Sequence, residues 1–206
     1  MGTATEGDRA RLLEAMLEEL VEKGYREVEV RGALERAHLG GERWAAVFVD
    51  KDACLVAAFE QLSGQLRAAV CEGCAVEGEW PSKVAAGLRA LLGRLAARAA
   101  MTEALARSFP AIGPAAQERY QAFVESLAPL LAGGRECSGI GDRLPTEVEL
   151  LAVGAAEAIF FEQIQTGRTA LLGELCPEIL FGVLVPFIGA AGAGAAMEAE
   201  RARAVG

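Results

Sequence analysis

The chain has 206 residues, of which 52% are hydrophobic, and a formal net charge of −9. That length holds one large or two small cores, and the Ala/Leu/Glu/Arg-rich composition with only seven prolines favours an all-α protein. An acidic chain is not drawn to nucleic acid at large, so any DNA contact has to be local.

Residues 1–8 read as a disordered lead. The first helix is predicted from about Asp8 to Lys23, with Leu12, Leu13, Met16, Leu17, Leu20 and Val21 forming a stripe at helical spacing and Gly24 ending it. Glu14, Glu18, Glu19 and Glu22 make its acidic outer face and read as solvated surface. Two short helices follow. Val30, Ala33, Leu34 and Ala37 share one face of the first, and Leu39, Trp44, Val47 and Phe48 continue the apolar set beyond a break at His38-Leu39-Gly40-Gly41. That break is the turn of a helix-turn-helix: Gly supplies positive φ without steric cost, and His38 is a residue type that tolerates the same geometry. Asp50 reads as the N-cap of a fourth helix that buries Leu55, Ala58, Phe59 and Leu62 and ends near Cys74.

Gly73, Gly78 and Trp80-Pro81 mark a boundary before a fifth helix, Pro81 to about Ala100. A short helix, about Thr102 to Phe109, is ended by Pro110. The next, about Pro114 to Leu131, places Tyr120, Phe123, Val124, Leu127 and Leu130 inward. A Gly-rich loop spans Ala132 to Pro145; its glycines do not follow a strand, so they give no phosphate cradle. Two strongly apolar helices close the chain, one from Thr146 to about Thr166 with Thr146 and Glu149 as a capping box, the other from Pro177 to about Ala190. A helix apolar nearly all round is buried on more than one side. The simplest account is a homodimer in which both helices pair with their copies, with Leu151, Ala155, Phe181, Leu184 and Val185 at the interface.

Ile179 to Met197 is uncharged for 19 residues, long enough to cross a membrane. Pro186, glycines at 182, 189, 192 and 194, and the flanking Glu178 and Glu198 favour a buried interface helix instead, and no membrane partner is expected. The first twenty residues carry Glu6, Asp8, Arg9 and Arg11 without the apolar core of a secretory signal. Five cysteines, at 54, 71, 74, 137 and 176, show no framework spacing and suit a reducing cytoplasm. The Cys71-Glu72-Gly73-Cys74 pair lacks two further soft ligands, so no metal is expected, and no cofactor. One His and no nucleophile with a partner base argue against an enzyme.

Gly24-Tyr25, Val30-Arg31, Phe48 and the run Lys51-Asp52-Ala53-Cys54-Leu55 resemble the N-terminal DNA-binding domain of TetR-type transcriptional regulators, over about residues 9–59. The resemblance implies a three-helix DNA-binding domain over residues 1–52 and a helical ligand-binding and dimerisation domain over 53–206. It implies a cytoplasmic, ligand-responsive repressor: a homodimer on a palindromic double-stranded operator, released by a small-molecule effector. Arg43 is the base-reading candidate, Lys51 and Arg31 face phosphates, and Glu42 and Ala45 complete the DNA-facing set; Arg9 and Arg11 could reach phosphate from the arm before the first helix. Trp44 replaces the core Phe of the family, Ala45 its phosphate-contacting Tyr, and Leu34 a small residue between the two helices. Residues 1–55 carry eight basic side chains against twelve acidic ones, a net of −4. The alternative is a small-molecule-binding or protein-interaction module with weakened or lost DNA binding. For the effector, Trp80, Phe109, Tyr120, Phe123, Glu157 and Phe160 offer aromatic walls and one acid, suited to an apolar or cationic small molecule.

Overall fold

The computed structural model describes residues 6–205, which form helices and no strand. In order these are α1 (Glu6–Lys23), α2 (Val30–Ala37), α3 (Gly41–Ala45), α4 (Lys51–Cys74), α5 (Trp80–Ala97), α6 (Ala99–Ile112), α7 (Pro114–Leu127), α8 (Gly133–Cys137), α9 (Val148–Gln165) and α10 (Cys176–Val205), with 3-10 turns at Ala128–Leu131, Gly141–Arg143 and Thr169–Leu175. Residues 1–5 of the expected lead lie outside the described residues; Glu6 and Asp8 already belong to α1, and Asp8 is buried.

The chain packs as two compact units, residues 6–64 with 100–120 and residues 65–99 with 121–205. The packing therefore does not divide at residues 52 and 53. In the first unit the stripe of α1 (Leu12, Leu13, Met16, Leu17, Leu20) closes over Val28, Ala33, Ala37, Trp44 and Phe48. Cys54, Leu55 and Ala58 of α4 and Leu105 of α6 complete that core. Lying in the apolar interior, the Cys54 thiol has its pKa pushed up to about 12, which makes it inert. Phe59, Phe109 and Tyr120 form an aromatic triangle in the same unit, with ring centroids 4.8, 5.5 and 6.2 Å apart.

Glu19 departs from the solvated role its helical position suggested. It is 1% exposed, and its carboxylate is ion-paired with Lys23, one turn on, and accepts from Arg36 Nε of α2 at 2.8 Å. Arg36 also holds Glu22, so an acid from α1 and a cation from α2 tie the first two helices together beside their apolar seam. The stripe could not reveal this, because only the arrival of α2 removes Glu19 from water.

In the second unit α5, α9 and α10 pack around Val84, Leu92, Val148, Ala152, Leu172, Ile179, Leu180, Leu184 and Phe187. The Gly-rich segment is not a plain loop: α8 occupies Gly133–Cys137, and its glycines admit Trp80. A Cβ on Gly134 would stand 2.6 Å from both Trp80 Cζ2 and Phe187 Cδ1, so only hydrogen fits there. The Thr146/Glu149 capping box does not form. The N-cap of α9 is Glu147 without a side-chain bond, and Glu149 instead takes a two-pronged pair from Arg135, at 2.6 and 2.8 Å. Arg135 also donates to the carbonyls of Pro145 and Thr146, closing the loop before α9. Pro110 lies inside α6 rather than after it. The last helix extends well past Ala190: α10 breaks at Gly189 (φ 70°, ψ 171°) and continues to Val205. Its second half is fastened by Arg89, which pairs with the buried Glu200 at 2.7 Å through both nitrogens, and by Arg201 on Glu178 at 2.8 Å.

Candidate nucleic-acid interface

α2 ends in a turn whose left-handed residue is His38 (φ 53°, ψ 46°), not one of the glycines. The amide of Leu39 reaches back to the Leu34 carbonyl at 3.1 Å and that of His38 to Glu35 at 3.3 Å, the double closure of a Schellman turn. Gly40 is extended (φ −85°, ψ 162°) and starts α3. Trp44 and Phe48, 5.3 Å apart at their ring centroids, turn inward and anchor α3 to the core. Asp50 caps α4 as its position predicts, Oδ1 accepting from the Ala53 amide at 2.7 Å.

The two motifs carried by Gly24-Tyr25 and Lys51-Asp52 turn out to be one joint. Lys51 Nζ donates to the Tyr25 carbonyl at 3.0 Å and the Val28 carbonyl at 3.4 Å, and stands 4.6 Å from the centre of the Tyr25 ring. The Tyr25 hydroxyl donates to Asp52 at 3.0 Å. Burial, then this bond to Asp52, pushes the phenol pKa up, so it stays a donor. Residues far apart in sequence thus lock the start of α4 onto the link between α1 and α2.

The side chains expected to meet DNA are largely engaged within the unit. Arg31 Nε donates to Glu35 at 2.9 Å, an exposed pair that dissociates at little cost. Arg43 Nη1 pairs with Asp8 at 3.0 Å, and Arg11 holds the other oxygen of Asp8 at 2.6 Å. Arg9 lies over the Phe48 ring, 5.8 Å from its centre. Gly41, Glu42, Ala45 and Ala46 are the exposed residues of the α3 segment, joined by Val49, which is 90% exposed. An outward face of one acid and three apolar side chains differs from the basic reader that helix-turn-helix geometry usually displays.

The six effector candidates fall in both units. Phe109 and Tyr120 are two corners of the aromatic triangle of the first. Trp80, Phe123, Glu157 and Phe160 belong to the second, where Trp80 meets Phe187 edge-on at 5.2 Å and Phe160 meets its neighbour Phe161. The Trp80 indole N–H is buried without a hydrogen-bond partner. A groove of about 400 Å³ in the second unit is lined by other residues: Glu125, Ala128, Pro129, Ala132, Thr146, Glu147, Glu149 and Leu150. Sequence reasoning missed it because none of its lining residues is aromatic, and no spacing brings residues 125–132 and 146–150 together. Of the interface candidates, Leu151 is 63% exposed and Ala155 is exposed, Phe181 and Val185 are half-buried, and Leu184 is fully enclosed in the chain's own core. The segment around α10 is long and apolar enough to cross a membrane by length and composition, and only a third of its apolar window is buried within the chain. No group of three or more potential metal ligands comes together among the described residues.

No family model matches the chain, and no curated protein does. Solved structures do. The fatty acid degradation regulator FadR of Bacillus halodurans superposes with a TM-score of 0.69 at 14% identity, over 85% of this chain and 97% of its own. FadR of Bacillus subtilis in complex with stearoyl-CoA gives 0.65 at 17% identity, over 86% and 98%. A TetR family transcription regulator of Marinobacter aquaeolei gives 0.60 at 18% identity, over 91% and 95%. Across a helix-turn-helix unit and an all-helical second unit, the chain has the fold of the TetR-family regulators.

Proposed function

We propose that the protein is a ligand-responsive transcriptional regulator that binds operator DNA as a homodimer, in the cytoplasm, and that its DNA affinity is low. The observation that carries this reading is the complete bihelical reader: α2, a left-handed His38 turn, and α3 anchored by Trp44 and Phe48, on a fold shared with solved regulators. DNA affinity comes mainly from neutralised phosphates, and here Arg43 and Lys51 are bonded internally while the net charge of the segment is negative, so binding is weak and its salt slope is shallow. Titrating the purified full chain into labelled duplex from around its own gene, at about 50 to about 200 mM salt, tests this. Expected is sequence-selective binding whose log affinity falls linearly with log salt. Flat titrations at the lowest salt would sink it and leave the second reading, a binding module that no longer reads DNA, which the inward-bonded cations support.

The dimer reading rests on α9 and α10. Both are apolar on faces that their own unit leaves open, at Leu151, Ala155, Phe181 and Val185. Leu151→Glu puts a charge into that seam. It is expected to convert the dimer to a monomer at micromolar concentration by sedimentation, with an unchanged circular dichroism spectrum. A variant that stays dimeric would place the interface elsewhere.

For the effector, one similar structure is a stearoyl-CoA complex. The groove of this chain is acidic. Glu125, Glu147 and Glu149 line it, and Arg135, the cation beside them, is already paired with Glu149. That lining disfavours a polyanionic head group and suits a cationic or neutral apolar molecule.

A further inference from the structure

The carboxylate that holds Arg43 is itself unusual. Asp8 sits in the first turn of α1 and is 5% exposed, with Oδ2 on Arg43 Nη1 and Oδ1 on Arg11 Nη2. The Arg43 side chain keeps 32% of its surface in solvent, so one end is pinned while the rest is open to exchange. A carboxylate enclosed in this way between two guanidinium groups, near the positive end of a helix, is held in place by both partners. The reader therefore presents its single recognition-helix cation already charge-paired, with Glu42, Ala45 and Ala46 outward beside it.

We propose that Asp8 is a positioning residue for the DNA reader, holding Arg43 back against α1 so that a phosphate or guanine edge must displace a carboxylate before Arg43 can bind. This rests on the DNA-binding reading above. Asp8 thereby sets the affinity low and makes it rise only on sites that offer Arg43 a better partner, such as the two acceptors on a guanine edge. Its removal acts through Arg43 and not through bulk charge.

The test is anisotropy titration of full-length wild type, Asp8→Asn and the double variant Asp8→Asn with Arg43→Gln against the gene-proximal duplex and a scrambled duplex, over a range of salt. Asp8→Asn is expected to bind about tenfold more tightly at low salt, the size of one charge-assisted hydrogen bond released. Its salt slope should steepen by about one, for one added phosphate or base contact. The double variant should lose the gain. Should Asp8→Asn fold poorly by thermal melting, Asp8→Ser, which keeps a small polar residue in the first turn, takes its place. Salt-dependent wild-type binding with no gain in Asp8→Asn overturns the role of Asp8 and leaves the DNA reading standing. A gain that persists in the double variant overturns it as well, since the effect would then come from the released Arg11 or from net charge and not through Arg43. Absence of binding by all three proteins at low salt overturns both readings.

Discussion

Glu19→Ala is expected to lower stability by about 3 kcal/mol, a fall in Tm of roughly 6–12 °C if the chain melts as one cooperative unit of this length. The substitution removes a fully buried carboxylate that joins Lys23 of its own helix to Arg36 of α2. Both cations remain partly exposed and can be hydrated, which places the loss near the lower end for breaking an enclosed pair. The pH dependence follows from the same contacts. The hydrogen bond with Lys23, then that with Arg36, holds the Glu19 carboxyl below its ordinary pKa of 4.5, against the opposing effect of burial. A carboxyl depressed on folding adds stability that is complete above its unfolded pKa and is lost as pH falls through its folded one. Wild type should therefore lose stability on acidification below about pH 4.5, and Glu19→Gln should show a shallower loss. Parallel acid profiles for the two proteins in thermal melts would mean that the pair does not stabilise the fold.

Leu184→Ala is expected to cost about 3 kcal/mol in urea unfolding, within the range of buried Leu truncations, with the oligomeric state unchanged. Leu184 is enclosed among Val148, Leu180 and Phe187, so the truncation leaves a cavity within the subunit. Leu151→Ala, at a position 63% exposed in the chain, should cost well under half as much. The contrast separates two residues that α9 and α10 offered as equivalent. If Leu184→Ala instead left urea stability intact and split the dimer, the core assignment for that side chain would fail.

The elements that could be read from residue order are those whose causes are local. The stripe of α1, the Gly24 stop, the Asp50 cap and the inward turn of Trp44 and Phe48 each depend on neighbours within one or two turns. The helix-turn-helix was legible for the same reason, although its left-handed residue is His38 rather than a glycine: the backbone needed a reversal, and a closure to Leu34 and Glu35 was enough to hold a His there. Lys51 was located correctly as the first residue of α4. Its engagement with the Tyr25 and Val28 carbonyls depends on the chain folding back across 26 residues, which no spacing rule encodes.

What the sequence determined alone was the helical class, the order of the elements and the position of the helix-turn-helix, because hydrophobic period and capping chemistry act over a few residues. Tertiary structure alone decided which charges face water. Glu19 and Asp8 became enclosed anchors, Arg43 and Lys51 became bonded cations, and Gly133-Gly134 became a seat for Trp80, because burial and ion pairing arise only when distant helices meet. It also sorted the apolar faces of α9 and α10 into buried and exposed sides, since a helix apolar all round carries no sign of which side its own chain covers.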